Sequence, residues 1–261
     1  DAAAITARPP SIRGLASYSV GLDHIDLKAA RARGLIVTTT PDVLTDATAD
    51  LTLHLILSAS RGTSAAEAEL REGRWAGWQP AHVMGVGLQG RTLGLFGYGR
   101  IGQAVAKRAA ACGLSGIHYD HRGRGRLDAY SAPIASLEDF WRQSDIISLH
   151  APSTDSTRGI INAQTISMMK KGVVLINTAR GDLVDDDAVI DAAQSGHISG
   201  LGLDVYAGEP SLDPRYRDLP NATLLPHIGS STVETRKAMG AKVLANLLAI
   251  AAGKAPPDQA V

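Results

Sequence analysis

The sequence predicts an α/β protein built on a doubly wound parallel sheet, and three observations predict it. Short runs rich in leucine, valine and isoleucine alternate with helical stretches, as parallel strands joined by helical crossovers require. One such run, residues 92–96, leads directly into Gly97-Tyr98-Gly99-Arg100-Ile101-Gly102, a glycine-rich loop that opens a helix. No segment repeats at a fixed period, so a solenoid is not supported.

Taken in order, the elements begin with a small strand-helix-strand pattern over residues 15–19, 27–33 and 35–39, followed by a long apolar helix over 43–60. A breaker-rich stretch, 73–90, carries Trp75, Trp78 and Pro80 and reads either as a domain connection or subunit contact, or as a filler loop. Strand 92–96, helix 100–112 and strand 116–120 come next, then buried-strand candidates at 145–149, 172–176 and 200–203. Helix starts are marked by Ser136 with Asp139, by the run Asp185-Asp186-Asp187, and by Ser231 with Glu234 as a capping box ahead of a final helix over 232–252. Gly196 and Gly253 are expected helix stops.

A chain of 261 residues, 44% of them hydrophobic, can bury a large core in one domain or two modest ones. Its 26 basic and 26 acidic side chains balance, so nothing global points to nucleic acid or an anionic membrane. The single cysteine, Cys112, excludes an internal disulfide framework and reads as a small buried apolar residue of the helix 100–112. No apolar run is long enough to cross a bilayer and no targeting segment is evident, so a soluble, cytoplasmic setting is expected.

The glycine-rich loop has the context that dinucleotide binding needs. Gly97 permits the tight turn, Gly99 lets the backbone approach a pyrophosphate, Gly102 lets helix and strand pack closely, and the helix start offers amide donors to phosphate. Asp120, at the end of the next strand, suits the ribose hydroxyls of NAD, whereas His121, Arg122, Arg124 and Arg126 form a basic cluster that could hold the 2′-phosphate of NADP. NAD is the expected cofactor, with NADP left open. Three further side chains lie in turn-like segments downstream. Arg180, just past strand 172–176, can grip a carboxylate with two parallel hydrogen bonds; His227, after the strand-like 223–225, becomes a proton donor if Glu209 stabilises its imidazolium.

In order and spacing, Ser19-Val20-Gly21-Leu22-Asp23-His24-Ile25-Asp26, the glycine-rich loop, Asn177-Thr178-Ala179-Arg180-Gly181-Asp182-Leu183-Val184, Gly202-Leu203-Asp204-Val205, Glu209-Pro210 and Pro226-His227-Ile228-Gly229-Ser230 resemble the D-isomer-specific 2-hydroxyacid dehydrogenases. The stretch Arg74-Trp75-Ala76-Gly77-Trp78-Gln79-Pro80 looks most like the glyoxylate/hydroxypyruvate reductase branch. The resemblance implies a Rossmann-type dinucleotide domain over 42–235, with the dimerisation helix and loop, and a second, truncated flavodoxin-like substrate domain over 1–41 and 236–261. It makes His227 the acid/base, Glu209 its partner and Arg180 the clamp on the substrate, helped by Val20, Gly21 and Ser230. It assigns Arg100, Ile101, Thr48 and Thr157 to the region of the cofactor phosphates, Thr178, Ala179, Asp204 and Gly229 to the nicotinamide side, and His150, Ala151 and Pro152 to the adenosine side. No metal is expected.

The partners it implies are a small 2-keto or 2-hydroxy acid and a second copy of the chain, with residues 51–57 and the tryptophan loop as the contact, and with cofactor-linked closure of the domains. One departure stands out. Residues 1–6 look like a family strand followed almost at once by 12–19, as though a helix and strand were missing between them and another pair before them. Two readings follow: an active NAD(P)-dependent reductase of short 2-keto acids, or a dinucleotide-binding interaction protein with weak or no turnover.

Overall fold

The computed structural model describes residues 2–120 and 127–261. The chain forms two compact units, one of residues up to Ala47 together with Ser230–Val261, the other Thr48–Gly229. These divisions lie six residues from the expected 41/42 and 235/236.

The smaller unit starts with helix α1 (Ala2–Thr6), strand β1 (Gly14–Ala16), helix α2 (Leu27–Ala32) and strand β2 (Ile36–Thr38). The strand expected over residues 1–6 is therefore corrected to a helix. Its three consecutive alanines favour helix, and the Thr6 hydroxyl donates back to the Ala2 carbonyl at 2.8 Å. β1 and β2 pair in parallel, Gly14 opposite Ile36. β1 is shorter than the expected 15–19 because the chain turns after Ala16, where Ser17 Oγ lies 2.6 Å from Ser19 Oγ and 3.1 Å from His24 Nε2.

The larger unit is built around a parallel sheet. Helix α3 (Thr45–Arg61) spans the division between the units and runs on into α4 (Thr63–Arg71). Then come β3 (Thr92–Phe96), α5 (Arg100–Ala110), β4 (Ser115–Tyr119), β5 (Ser131–Pro133), α6 (Leu137–Gln143), β6 (Ile146–Leu149), α7 (Ala163–Met168), β7 (Val173–Asn177), α8 (Asp186–Gln194), β8 (Ile198–Leu203) and β9 (Ala222–Leu224). All strand pairings are parallel, in the order β5-β4-β3-β6-β7-β8-β9.

Both faces of this sheet are covered, which is why its central strands are rich in apolar residues on both sides. On one face Phe96, Ile147, Leu149, Leu175, Leu201 and Leu203 pack with Phe140, Trp141, Val189 and Ile190. On the other, Leu93, Leu95, Ile146, Val174 and Ile176 pack against Leu55 and Ile56 of α3 and Val105 and Ala106 of α5. Strand direction of growth reverses between β3 and β6, so the crevice at the carboxyl ends of these two strands is where a doubly wound sheet takes its ligand.

Helix α9 (Val233–Ala251) returns to the smaller unit and packs on β1 and β2. Its cap is Thr232, whose side chain accepts from Thr235 N at 3.1 Å, so the box expected at Ser231 and Glu234 is corrected by one residue. The expected caps at Ser136 and Asp185 are present, and Gly196 and Gly253 follow the ends of α8 and α9 with φ of 75° and 69°. Cys112 lies in the turn after α5, partly exposed, and not in the helix. Among the described residues no helix is long and apolar enough to cross a membrane.

One surface contact of this sheet sets a pH dependence. Burial pushes the Asp145 carboxyl up, but the Lys170 ammonium and the Thr92 N–H, each at 2.8 Å, together with the charge of Arg91, outweigh it and hold the group below the ordinary carboxylate range. A depressed carboxylate stabilises the fold above its unfolded value, about 3.9, and that contribution disappears as pH falls through the folded value. Asp145→Asn should therefore lower Tm by a few degrees at neutral pH, the equivalent of about 1 kcal/mol, and the gap should close in acid. Thermal melts of both proteins between pH 7 and about 3 check this; a gap independent of pH would contradict it.

Candidate active site

The glycine-rich loop starts where β3 stops. Gly97 has φ of 100°, and a Cβ there would come within 2.8 Å of the backbone of His150 and Ala151 at the end of β6. A Cβ on Gly99 would meet nothing within 4 Å, so the backbone at the start of α5 faces open space, and the first turn of that helix supplies amides that have no intrahelical acceptor. This cradle fits a pyrophosphate. Asp120 follows β4 directly, beside the loop; His121 and Arg122 lie outside the described residues.

Next to the loop, the turn after β6 holds His150, Ala151 and Pro152. Burial pushes the His150 imidazole down to about 4, so it is neutral at physiological pH, with its Nε2 2.9 Å from Ser148 Oγ. Thr157 is buried and its hydroxyl is used within its own loop, donating to Pro152 O at 2.7 Å and accepting from Thr154 N at 2.9 Å. It shapes the loop.

The chemical end lies at the carboxyl ends of β7, β8 and β9, which run side by side with Asn177 opposite Leu203 and Leu203 opposite Leu224. Arg180 follows β7. Its carbonyl accepts from Asn177 Nδ2 at 2.7 Å, and Ala179 N donates to Asn177 Oδ1 at 3.0 Å, so the buried Asn177 side chain shapes the arginine turn. Gly181 has no room for a side chain, because a Cβ would overlap the backbone of Tyr206 and Ala207. Gly181→Ala should displace this turn at the usual overpacking cost of about 1–3 kcal/mol. Turnover should fall at least about tenfold together with Tm, which steady-state assays and melts would measure; wild-type turnover would contradict the placement of the turn.

Asp204 follows β8 and is buried. Burial pushes its carboxyl up, against the Ile228 and Gly229 N–H groups that donate to its two oxygens at 2.7 and 2.8 Å. Thr48 Oγ1 donates to Gly229 O at 3.3 Å, and Thr52 Oγ1 lies 2.9 Å from Thr178 Oγ1, so α3 braces the same turns. After β9, His227 places Nδ1 2.6 Å from Glu209 Oε2, while Glu209 Oε1 accepts from Tyr206 N at 2.9 Å. Both carboxylate oxygens are thus occupied, and the imidazole is oriented with Nε2 left for other chemistry. A cleft of about 350 Å³ adjoins the pair, walled by Tyr206, Leu212, Leu224 and Leu225, with Arg217 also lining it.

Residues 53–229 match the model of the NAD-binding domain of D-isomer-specific 2-hydroxyacid dehydrogenases. The chain belongs to that family. It is 43% identical over 254 residues to a glyoxylate reductase of Thermococcus litoralis, covering 95% of this chain and 77% of that one. It is 42% identical over 234 residues to a glycerate dehydrogenase of Hyphomicrobium methylovorum, covering 88% and 73%. Among solved structures it resembles an NADPH-dependent glyoxylate/hydroxypyruvate reductase from Sinorhizobium meliloti in complex with NADP and malonate, with a TM-score of 0.89 and 38% identity over 97% of this chain and 78% of that one. The family assignment makes the larger unit a Rossmann-type NAD(P)-binding domain and the protein an NAD(P)-dependent dehydrogenase of 2-hydroxy acids.

Of the expected site residues, the structure joins His227 to Glu209 directly and gathers Thr48, Thr178, Asp204 and Gly229 around one set of hydrogen bonds. Val20, Gly21 and Ser230 belong to the smaller unit, where the Ser19 hydroxyl donates to Gly21 O at 2.7 Å and fixes the Val20 turn. The supporting roles of Asn177, Thr52 and Tyr206 were not legible in advance; for Asn177, only its place as the last strand residue before the arginine turn could have suggested one.

Proposed function

We propose that this chain reduces a short 2-keto acid of the glyoxylate or hydroxypyruvate type to its D-2-hydroxy acid. The observation that carries the reading is the 2.6 Å contact of His227 with Glu209, at the end of the strand beside the one that carries Asp204. The reduced dinucleotide supplies the hydride. His227 gives the proton from Nε2 to the carbonyl oxygen, and Glu209, bound at Nδ1, favours the protonated ring and keeps it oriented. Arg180 holds the carboxylate by its planar fork and so fixes the carbonyl carbon for attack. Arg100, Ile101 and Gly102 would hold the pyrophosphate, and Asp120 the ribose hydroxyls, which favours NAD over NADP.

Trp75, Trp78 and Met84 are 52%, 82% and 78% exposed, and Leu57 and Leu70 also face outward, which supports a homodimer through this surface. Leu55 and Ile56 take no part, since both are buried in the core. Consumption of NADH and NADPH with glyoxylate and hydroxypyruvate, by wild type and by His227→Ala, tests the function. Faster turnover with NADH in the wild type, and a large loss in His227→Ala, are expected; equal rates in the two proteins would refute the assignment, and a monomer by light scattering would refute the dimer.

A further inference from the structure

We propose that Tyr206 is a positioning residue whose hydroxyl fixes the backbone entering His227 and thereby keeps the imidazole on Glu209. The inference rests on His227 as the acid/base. Its starting point is a backbone anomaly: His227 has φ of 54°, in the left-handed region that side chains other than glycine rarely adopt. Such a conformation persists only where its surroundings hold it, and here the peptide is held from both sides.

Downstream, the Ile228 and Gly229 N–H groups are bound by Asp204. Upstream, Pro226 has no N–H to offer, and the Leu225 carbonyl just before it is engaged. That carbonyl accepts from Tyr206 Oη at 3.0 Å. The same hydroxyl lies 3.2 Å from Leu203 O, which also accepts from Leu225 N at 2.8 Å, so one phenol spans the last rung between β8 and β9. Among the described residues β9 is an edge strand of the sheet, paired on one side only.

Tyr206 also reaches the other half of the pair, because its own N–H donates to Glu209 Oε1. A single residue therefore braces the carboxylate through its main chain and the histidine through its side chain. The ring is set edge-on to Tyr216, with centroids 6.2 Å apart, and the Tyr216 hydroxyl is anchored to Asp186 at 2.7 Å. Burial and the nearby Asp204 push the Tyr206 phenol up to about 12, so it remains a donor through the working pH range.

Tyr206→Phe removes the hydroxyl and keeps the ring and the main-chain bond. Its kcat for keto-acid reduction should fall about tenfold, the effect of losing one hydrogen bond at the reacting group. The KM for the keto acid and the Kd for the dinucleotide should stay within about twofold. Tyr216→Phe loses a phenol one ring further out and should keep kcat within about twofold. Wild-type kcat in Tyr206→Phe, with His227→Ala inactive, would overturn this inference alone. So would equal losses of kcat in the two tyrosine variants, which would mark a general structural effect. A fully active His227→Ala would overturn the acid/base assignment beneath it.

Discussion

Replacing His227 by alanine should lower kcat for 2-keto acid reduction by about 10²–10⁴-fold, the range of a positioned general acid. The argument is local. Reduction leaves negative charge on the carbonyl oxygen unless a proton arrives with the hydride, and His227 is the ionisable group here whose second nitrogen is already fixed by a carboxylate, at 2.6 Å. The glycine-rich loop at Gly97, Gly99 and Gly102, proposed to hold the dinucleotide, belongs to another turn, so the Kd for NADH should stay within about threefold, as for substitutions remote from a binding surface. Glu209→Gln should follow in the same direction with a smaller loss, because it keeps the shape of the prop and removes its charge. Stopped-flow mixing with pre-bound NADH separates these quantities. Loss of NADH binding in parallel with turnover would show that the histidine serves the fold or the cofactor.

Arg180→Lys should raise the KM for the keto acid and lower kcat, for a combined loss near 10²-fold in kcat/KM. Lysine keeps the positive charge and loses the planar fork, so the substrate is attracted and poorly aligned. The position is held by the main chain: Asn177 fixes the carbonyl of residue 180, and the Leu183 N–H donates to the same oxygen at 3.3 Å. The turn should therefore survive substitution of the side chain, which circular dichroism and melting would check. A KM unchanged from wild type in Arg180→Lys would remove the arginine from carboxylate binding.

Much of the larger unit is legible in the sequence because its central strands are short runs rich in apolar residues. β3, β4, β6, β7 and β8 stand within a residue or two of their expected bounds since each is a short, mostly apolar run with a glycine or polar residue beside it. β5 was not legible; three residues ending in proline give no period. α4 was missed for a different reason, since none of its residues is buried and it shows no apolar stripe to read. α7 starts from a box made by Asn162 and Thr165, outside the usual serine or threonine with glutamate pattern.

For the site, the residue types and their order were readable, and the resemblance paired Glu209 with His227, which the structure places in contact. What was not readable is how the turns are held. The left-handed backbone at His227, the double engagement of Asp204 and the span made by the Tyr206 hydroxyl depend on atoms that meet only after β8 and β9 lie side by side. At the amino terminus the alanine run decided in favour of helix α1, where likeness to the family had suggested a strand.

A crystal structure of the protein with NAD and oxamate, an unreactive analogue of a short 2-keto acid, addresses the mechanism most directly. It should show the oxamate carboxylate in a two-point contact with the Arg180 guanidinium and the amide carbonyl oxygen within hydrogen-bond distance of His227 Nε2. Oxamate bound away from both side chains, or His227 parted from Glu209 in the complex, would contradict the mechanism.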